Sequence, residues 1–183
     1  ILNQTINDNY NLIIEFSSNE KKSYIKKFEK FKILKFEKNS TNSKIWPLRT
    51  KVVTQQASLS YIYKFDVSLP INNWSLFLNK MDLFHKKNKS YKPYFFGHLG
   101  DGNLHCNYKI YDSNDLKYKK LENFIYNLII KLEGSIAAEH GLGFRKNNLI
   151  KKYKTKEIYK VLSEMKLFFD KKKLLNKNKL IKT

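Results

Sequence analysis

The chain has 183 residues, with 36 Lys+Arg against 16 Asp+Glu and a formal net charge of +20. A hydrophobic content of 42% and an aromatic content of 15% exclude a disordered tail and suffice for one core. The single cysteine, Cys106, excludes an intramolecular disulfide and a multi-cysteine metal cluster, and no apolar run approaches the ~20 residues of a membrane span.

In chain order, residues 9–17 predict a strand. Residues 19–31 predict a lysine-rich helix burying Tyr24, Phe28 and Phe31, and 32–38 a second strand. After a polar linker at 39–43, a helix is expected over 44–56, with Pro47 in its first turn. SYIYKFDV (60–67) reads as a strand. Pro70 then introduces a helix over 71–87 with the stripe Ile71, Trp74, Leu78, Met81 and Phe84. Strands over 93–99 and 104–111 flank a turn. A helix over 115–132 places Leu116, Leu121, Phe124, Ile125, Leu128 and Leu132 on one side and stops at Gly134. Residues 134–139 suit a short buried strand. Thr155 caps a last helix through Phe169, with Ile158, Val161, Leu162, Met165 and Phe169 inward. Hairpins and helices in this order predict an α+β fold, a mostly antiparallel sheet with helices packed on one face.

The charge suggests a basic nucleic-acid-binding α+β domain, but its composition argues otherwise. Of the 36 basic residues, only Arg49 and Arg145 are arginine. Lys, Asn and Ile together make 71 of 183 residues, a bias toward A/T-rich codons. Nucleic-acid surfaces favour arginine for its bidentate fork, and no nucleic-acid motif is legible. The lysine excess therefore reads as a solvated surface, with no nucleic-acid partner.

The rare residues carry more. All six glycines follow residue 96, and His98, His105 and His140 lie in the same two glycine-bearing segments. In YFFGHLGDGNLHCNY (94–108), Asp101-Gly102 is a two-residue hairpin signal that would set His98 directly opposite His105. Asn107 would share that face, and Cys106 would point to the other. Two opposed imidazoles are either polar residues on a sheet face or a pair converging on one metal ion. Glu139, in GSIAAEHGLGFRK (134–146), is a candidate anionic third donor. Its alternative is a salt bridge to one of the many lysines. Two His and one Glu leave an open coordination position, which suits catalysis, a metal-dependent hydrolase included. Arg49 and Lys64, the latter inside an aromatic strand, suit a substrate with one or two carboxylates.

Together, GHLGDGNLHCN (97–107) and GSIAAEHGLGFRK (134–146) resemble the C-terminal domain of FAD-linked 2-hydroxyacid dehydrogenases of the vanillyl-alcohol-oxidase type. The flanks IWPLRTKV (45–52), YKFDVSLP (63–70) and GFRK (143–146) look most like the D-2-hydroxyglutarate dehydrogenase branch. The resemblance is clear from Ile45 to Ile181; in residues 1–44 only the strand–helix–strand order and NLIIEFSS (11–18) fit.

It implies a ferredoxin-like substrate domain in which His98, His105 and Glu139 hold a divalent metal, zinc by expectation. His140 would be the general base, and Arg49, Lys64 and Asn107 would contact a small carboxylate substrate. The family's contact four residues after the arginine falls on Val53, with Thr54 adjacent. Of the closing Asp-Pro…Asn-Pro-x-Lys pattern, both prolines are missing; Asn176 is retained as a flavin contact. No glycine occurs before Gly97, so the pyrophosphate loop of an FAD-binding domain is absent from these residues.

The expectation is thus the substrate- and metal-binding half (1–183) of a 2-hydroxyacid dehydrogenase, or a non-catalytic remnant of one. Its first residue is Ile1 rather than Met, which also reads as a fragment. Expected partners are an FAD-binding domain in cis or trans and an electron acceptor, a quinone or an electron-transfer flavoprotein. The location is cytoplasmic or the mitochondrial matrix.

Overall fold

The computed structural model describes residues 12–14, 26, 45–57, 62–111, 114–144, 146–177, 179 and 181. It comprises two compact units, residues 1–59 and 60–183. The elements expected at 9–17, 19–31 and 32–38 lie outside the described residues, apart from Lys26, which is helical, and 12–14, which form no regular element. Arg145 also lies outside them.

In the first unit, helix α1 spans Ile45–Ala57. Pro47 stands at its third residue, where the missing N–H is one the first turn leaves unpaired anyway.

The second unit begins with strand β1 (Ile62–Ser68). A 3-10 turn at Ile71–Asn73 follows Pro70, then helix α2 (Trp74–Lys87). Strands β2 (Tyr91–His98) and β3 (Asn103–Ile110) form the hairpin, followed by helix α3 (Asp115–Lys131). Two helices close the chain, α4 (Asn147–Tyr153), which the sequence pattern did not anticipate, and α5 (Lys156–Phe169). The sheet is antiparallel in the order β1-β3-β2, with a single bridge from Ser68 to Ser135 on the other edge of β1. This is the ferredoxin-like order with its last strand reduced to one bridge.

Period-two alternation gives the sheet two different faces. Phe65 and Val67 of β1, Leu104, Cys106 and Tyr108 of β3 and Phe95 of β2 share one face. They pack with Phe77, Met81 and Phe84 of α2 and Leu121, Ile125 and Ile129 of α3. Each fully buried aliphatic side chain here contributes about 1.5–3 kcal/mol. The Phe65 ring stands edge-on to Tyr108 and Tyr126, and Phe84 stacks on Phe124 with centroids 4.3 Å apart. Cys106 is fully buried in this core, and burial pushes its thiol pKa up. The other face carries Lys64 and Asp66, Asn103, His105 and Asn107, and Phe96 and His98.

Local chemistry sets the element ends. The Asn114 side chain accepts from the Lys117 N–H at 2.8 Å and starts α3. α3 ends differently from expectation. Glu133, not Gly134, takes the left-handed conformation (φ 58). Gly134 is needed for close approach, because a Cβ there would lie 2.3 Å from the Ser68 carbonyl oxygen.

Two residues expected on the apolar stripes of their helices lie outside the core. Ile71 and Leu116 are exposed, whereas Phe77 joins the buried face of α2. Thr155 caps α5 as expected, accepting from the Ile158 N–H at 3.3 Å. Its apolar stripe is not inward, however: Ile158, Val161, Met165 and Phe169 are exposed, and Leu162 is half-buried. After α5, the turn that lacks both prolines is held by buried Asp170. Its carboxylate accepts from the N–H groups of Leu174 and Leu175 and pairs with Lys166.

Candidate metal and substrate site

The polar face of the sheet becomes a site through the hairpin and one loop. The register differs from the two-residue turn expected. His98 pairs with Asn103, and His105 pairs with Phe96. His98 is therefore diagonal to His105 on the same face, not opposite it. The cause is the turn type. An Asp101-Gly102 type I′ turn needs positive φ at both residues, and only Gly102 has it (φ 72). Instead the Gly102 N–H donates to the Leu99 carbonyl, and the Asp101 carboxylate accepts from the Asn103 N–H at 2.9 Å. The four residues Leu99–Gly102 thus form the turn, which shifts the pairing.

The loop after α3 brings the remaining groups. Residues 136–139 do not continue as the strand expected. Three successive N–H groups, of Ala138, Glu139 and His140, all donate to Oδ2 of Asp66, at 3.1, 3.0 and 2.8 Å. Extended backbone points successive N–H groups to opposite sides, so this convergence is incompatible with a strand. The loop is fixed at its far side by Lys146. Its Nζ donates to the carbonyls of Ile136 (2.8 Å) and Asp66 (3.4 Å). Desolvation lowers the Lys146 pKa, and the Asp66 charge opposes that shift.

Two imidazoles and two carboxylates result. The rings of His105 and His140 stack with centroids 5.5 Å apart. Glu139 Oε1 lies 3.1 Å from His105 Nε2 and 3.4 Å from His140 Nε2. On the far side, Asp66 Oδ1 is 3.6 Å from His105 Nδ1, and Oδ2 is 3.9 Å from His140 Nδ1. Burial lowers the His105 pKa against the raising effect of Glu139 and Asp66. In its neutral form the ring offers one nitrogen lone pair to a cation.

Metal-ligand spacing is found on the Asp66 side of the pair, where donor atoms of Asp66, His105 and His140 all lie within 4.8 Å of one another. The two sides are not equivalent. The Asp66 side chain is 5% exposed and its Oδ2 already accepts three N–H groups, whereas the Glu139 side chain is 48% exposed. The open donor set is the Nε2 and Glu139 side. Imidazole with carboxylate is donor chemistry suited to a zinc-like divalent ion.

The remaining expected site residues fall in different places. His98 is exposed at the end of β2, and its charge adds to the lowering of the His105 pKa. Asn107 is buried on the same face, paired across the sheet with the exposed Lys64. Thus His98, His105, Asn107, Lys64, Glu139 and His140 belong to one sheet face and the loop tethered to it. Arg49 is exposed on α1, in the first unit. There Val53 is exposed, and the Thr54 hydroxyl donates to the carbonyls of Thr50 and Lys51. Asn176 is exposed in the turns after α5, at φ 43, and its carbonyl accepts from the Lys179 N–H. The fourth histidine, His85, is a partly buried residue of α2 whose Nε2 is 3.0 Å from the Tyr108 hydroxyl.

Sequence reasoning missed Asp66 and Lys146. The signal for Asp66 was present: it follows Lys64 by two residues in a strand whose alternate positions are Phe65 and Val67, so it shares the His105 face.

An antiparallel α+β unit with a His/His/Glu cluster on its polar face belongs to a defined class. The chain is a member of the FAD linked oxidases, C-terminal domain family, whose model matches residues 7–180. That match extends into residues 1–44, where the resemblance is weak.

Among individual relatives, the chain is 30% identical over 185 residues to "D-2-hydroxyglutarate dehydrogenase, mitochondrial" of Arabidopsis thaliana, covering 95% of this chain and 33% of that protein. It is 34% identical to the Bos taurus protein of the same name, over 76% of this chain and 25% of that protein. Similarity extends to "D-2-hydroxyglutarate--pyruvate transhydrogenase DLD3" of Saccharomyces cerevisiae, at 28% identity over 94% of this chain and 39% of that protein. The chain thus spans about a quarter to two-fifths of the length of these relatives.

Proposed function

We propose that this chain is the substrate- and metal-binding half of an FAD-dependent D-2-hydroxyacid dehydrogenase, with D-2-hydroxyglutarate as its substrate. The observation that carries this reading is the cluster of His105, His140 and Glu139 beside Lys64 and Asn107, in a member of the FAD-linked oxidase C-terminal family.

His105 Nε2 and Glu139, joined by His98, would hold a divalent cation, zinc by the donor chemistry. The bound cation would supply Lewis acidity at the substrate hydroxyl, and FAD would supply the acceptor for the hydride leaving the α-carbon. His140, half out in solvent next to the Glu139 carboxylate, takes the hydroxyl proton on Nε2. Lys64 binds a substrate carboxylate, and Asn107 orients the hydroxyl end from the sheet floor. The product is the 2-oxo acid.

The FAD-binding domain is provided in cis or in trans, and Asn176 contacts the flavin from this half. The electron acceptor is a quinone or an electron-transfer flavoprotein. The relatives' names, which include the word mitochondrial, support a mitochondrial location. Among the described residues, no helix is long and apolar enough to cross a membrane.

The test is titration of the zinc-loaded chain with D-2-hydroxyglutarate, D-lactate and glycolate. The dicarboxylate is expected to bind at least tenfold more tightly than either monocarboxylate, and Lys64→Met is expected to erase most of that difference. Equal affinity for all three acids in the unmodified chain would overturn the assignment of substrate.

A further inference from the structure

We propose that Asp66 is the positioning residue of this site: Oδ2 anchors the Glu139–His140 backbone, and Oδ1 fixes the ring tautomer of His105. Nε2 of His105 is thereby left as the lone-pair donor facing Glu139. The inference rests on the reading above that His105 and Glu139 hold a divalent cation.

The two oxygens of Asp66 have separate tasks. Oδ2 accepts three backbone N–H groups, one from each of Ala138, Glu139 and His140. Oδ1 is buried without a hydrogen-bond partner among the described residues, and it lies 3.6 Å from Nδ1 of His105. Lys146 ties the Asp66 carbonyl to the Ile136 carbonyl, joining the strand to the start of the loop. One side chain therefore sets both the position of Glu139 and the orientation of His105.

Donor and acceptor bookkeeping selects the tautomer. Neutral imidazole has one N–H and one lone pair, and an ionised carboxylate only accepts. With the proton on Nδ1, the ring turns a donor toward Oδ1 and a lone pair toward Glu139. With the proton on Nε2, two acceptors, Nδ1 and Oδ1, face each other in a buried place, which is unfavourable. A carboxylate behind a ligating imidazole is how metal sites generally orient their histidines.

Asp66→Asn separates charge and tautomer from shape. The amide oxygen must take the three loop N–H groups, so the amide NH2 turns toward His105 Nδ1. That nitrogen must then accept, which puts the ring proton on Nε2 and removes the lone pair from the metal position.

Two measurements on the full chain test this. Long-range 1H–15N correlation of the His105 ring, without metal at pH 7.5, is expected to show Nδ1–H in the unmodified chain and Nε2–H in Asp66→Asn. Zinc affinity, by competition with a chromophoric chelator, is expected to fall about 10–100-fold in Asp66→Asn. Nε2–H in the unmodified chain overturns the proposal even where the variant does not fold. Unchanged tautomer and zinc affinity in a folded Asp66→Asn chain overturn it as well. Failure of the underlying metal reading looks different: His105→Ala and Glu139→Gln would then bind zinc like the unmodified chain.

Discussion

Gly97→Ala isolates what holds the site-bearing hairpin together. A Cβ at Gly97 would lie 2.1 Å from the Asn103 carbonyl oxygen and 3.0 Å from the Leu104 Cα, both backbone atoms of β3. Restoring ordinary contact at 3.4 Å requires opening β2 from β3 by about 1.3 Å. Backbone cannot yield as a flexible side chain would. The opening would disturb the Asn103 N–H to Asp101 bond (2.9 Å) and the Leu69 N–H to Gly102 carbonyl bond (3.0 Å). At about 1 kcal/mol for each of the two hydrogen bonds and about 1–3 kcal/mol for overpacking, the loss is about 3–5 kcal/mol. That corresponds to a fall of about 10 °C in the melting temperature.

Gly100→Ala is the control from the same motif. Nothing lies within 4 Å of a Cβ there, and its φ is not positive. It should shift stability by less than about 0.5 kcal/mol. Thermal and urea unfolding followed by circular dichroism measure both variants. Equal stability of Gly97→Ala and Gly100→Ala would refute the account of the hairpin.

The other expectations are briefer. Glu139→Gln should weaken zinc binding at least tenfold with little change in melting temperature, because the Glu139 side chain is half-exposed; metal analysis and calorimetry decide it. His85 is partly buried against Tyr108, and burial lowers its pKa from the usual 6.5. A histidine with a lowered folded-state pKa stabilises above its unfolded value, and this is lost as pH falls from 6.5 toward the folded value. His85→Gln should flatten that part of the stability–pH curve, measured by urea unfolding between pH 7.5 and 5. Finally, Val161→Gln and Met165→Gln on the exposed face of α5 should each change stability by less than about 0.5 kcal/mol. Ile125→Ala in the core should destabilise by about 2–5 kcal/mol on the same urea assay.

Much of this molecule is legible in the chain because alternation and helical spacing report burial directly. Strand β1, the β2–β3 hairpin and helices α2 and α3 lie close to where the pattern puts them, and Cys106 faces the core as its parity requires. The segments around Gly97 and Gly134 stood out for the same reason they matter: both glycines sit where backbone from another strand leaves no room for a Cβ.

The hairpin register was not legible. Asp-Gly serves a type I′ turn and also the end of a four-residue turn, and Asp101 decides between them through its own hydrogen bond. Asp66 escaped notice because its partners are main-chain N–H groups, which every residue but proline possesses. The stripe on α5 misled in the opposite direction, since apolar spacing shows that a face is amphipathic without showing what meets it.

The two-faced sheet also fixes the timescales on which parts of the site move. His105 projects from the central strand, hydrogen-bonded on both edges and buried along almost its whole length. Such a strand exchanges its amides only on near-global unfolding. Glu139 and His140 instead ride on a loop held largely through one carboxylate oxygen and one ammonium group. The site thus has a stationary wall and a hinged one. Local opening at this site is therefore expected in that loop before it is expected in the sheet.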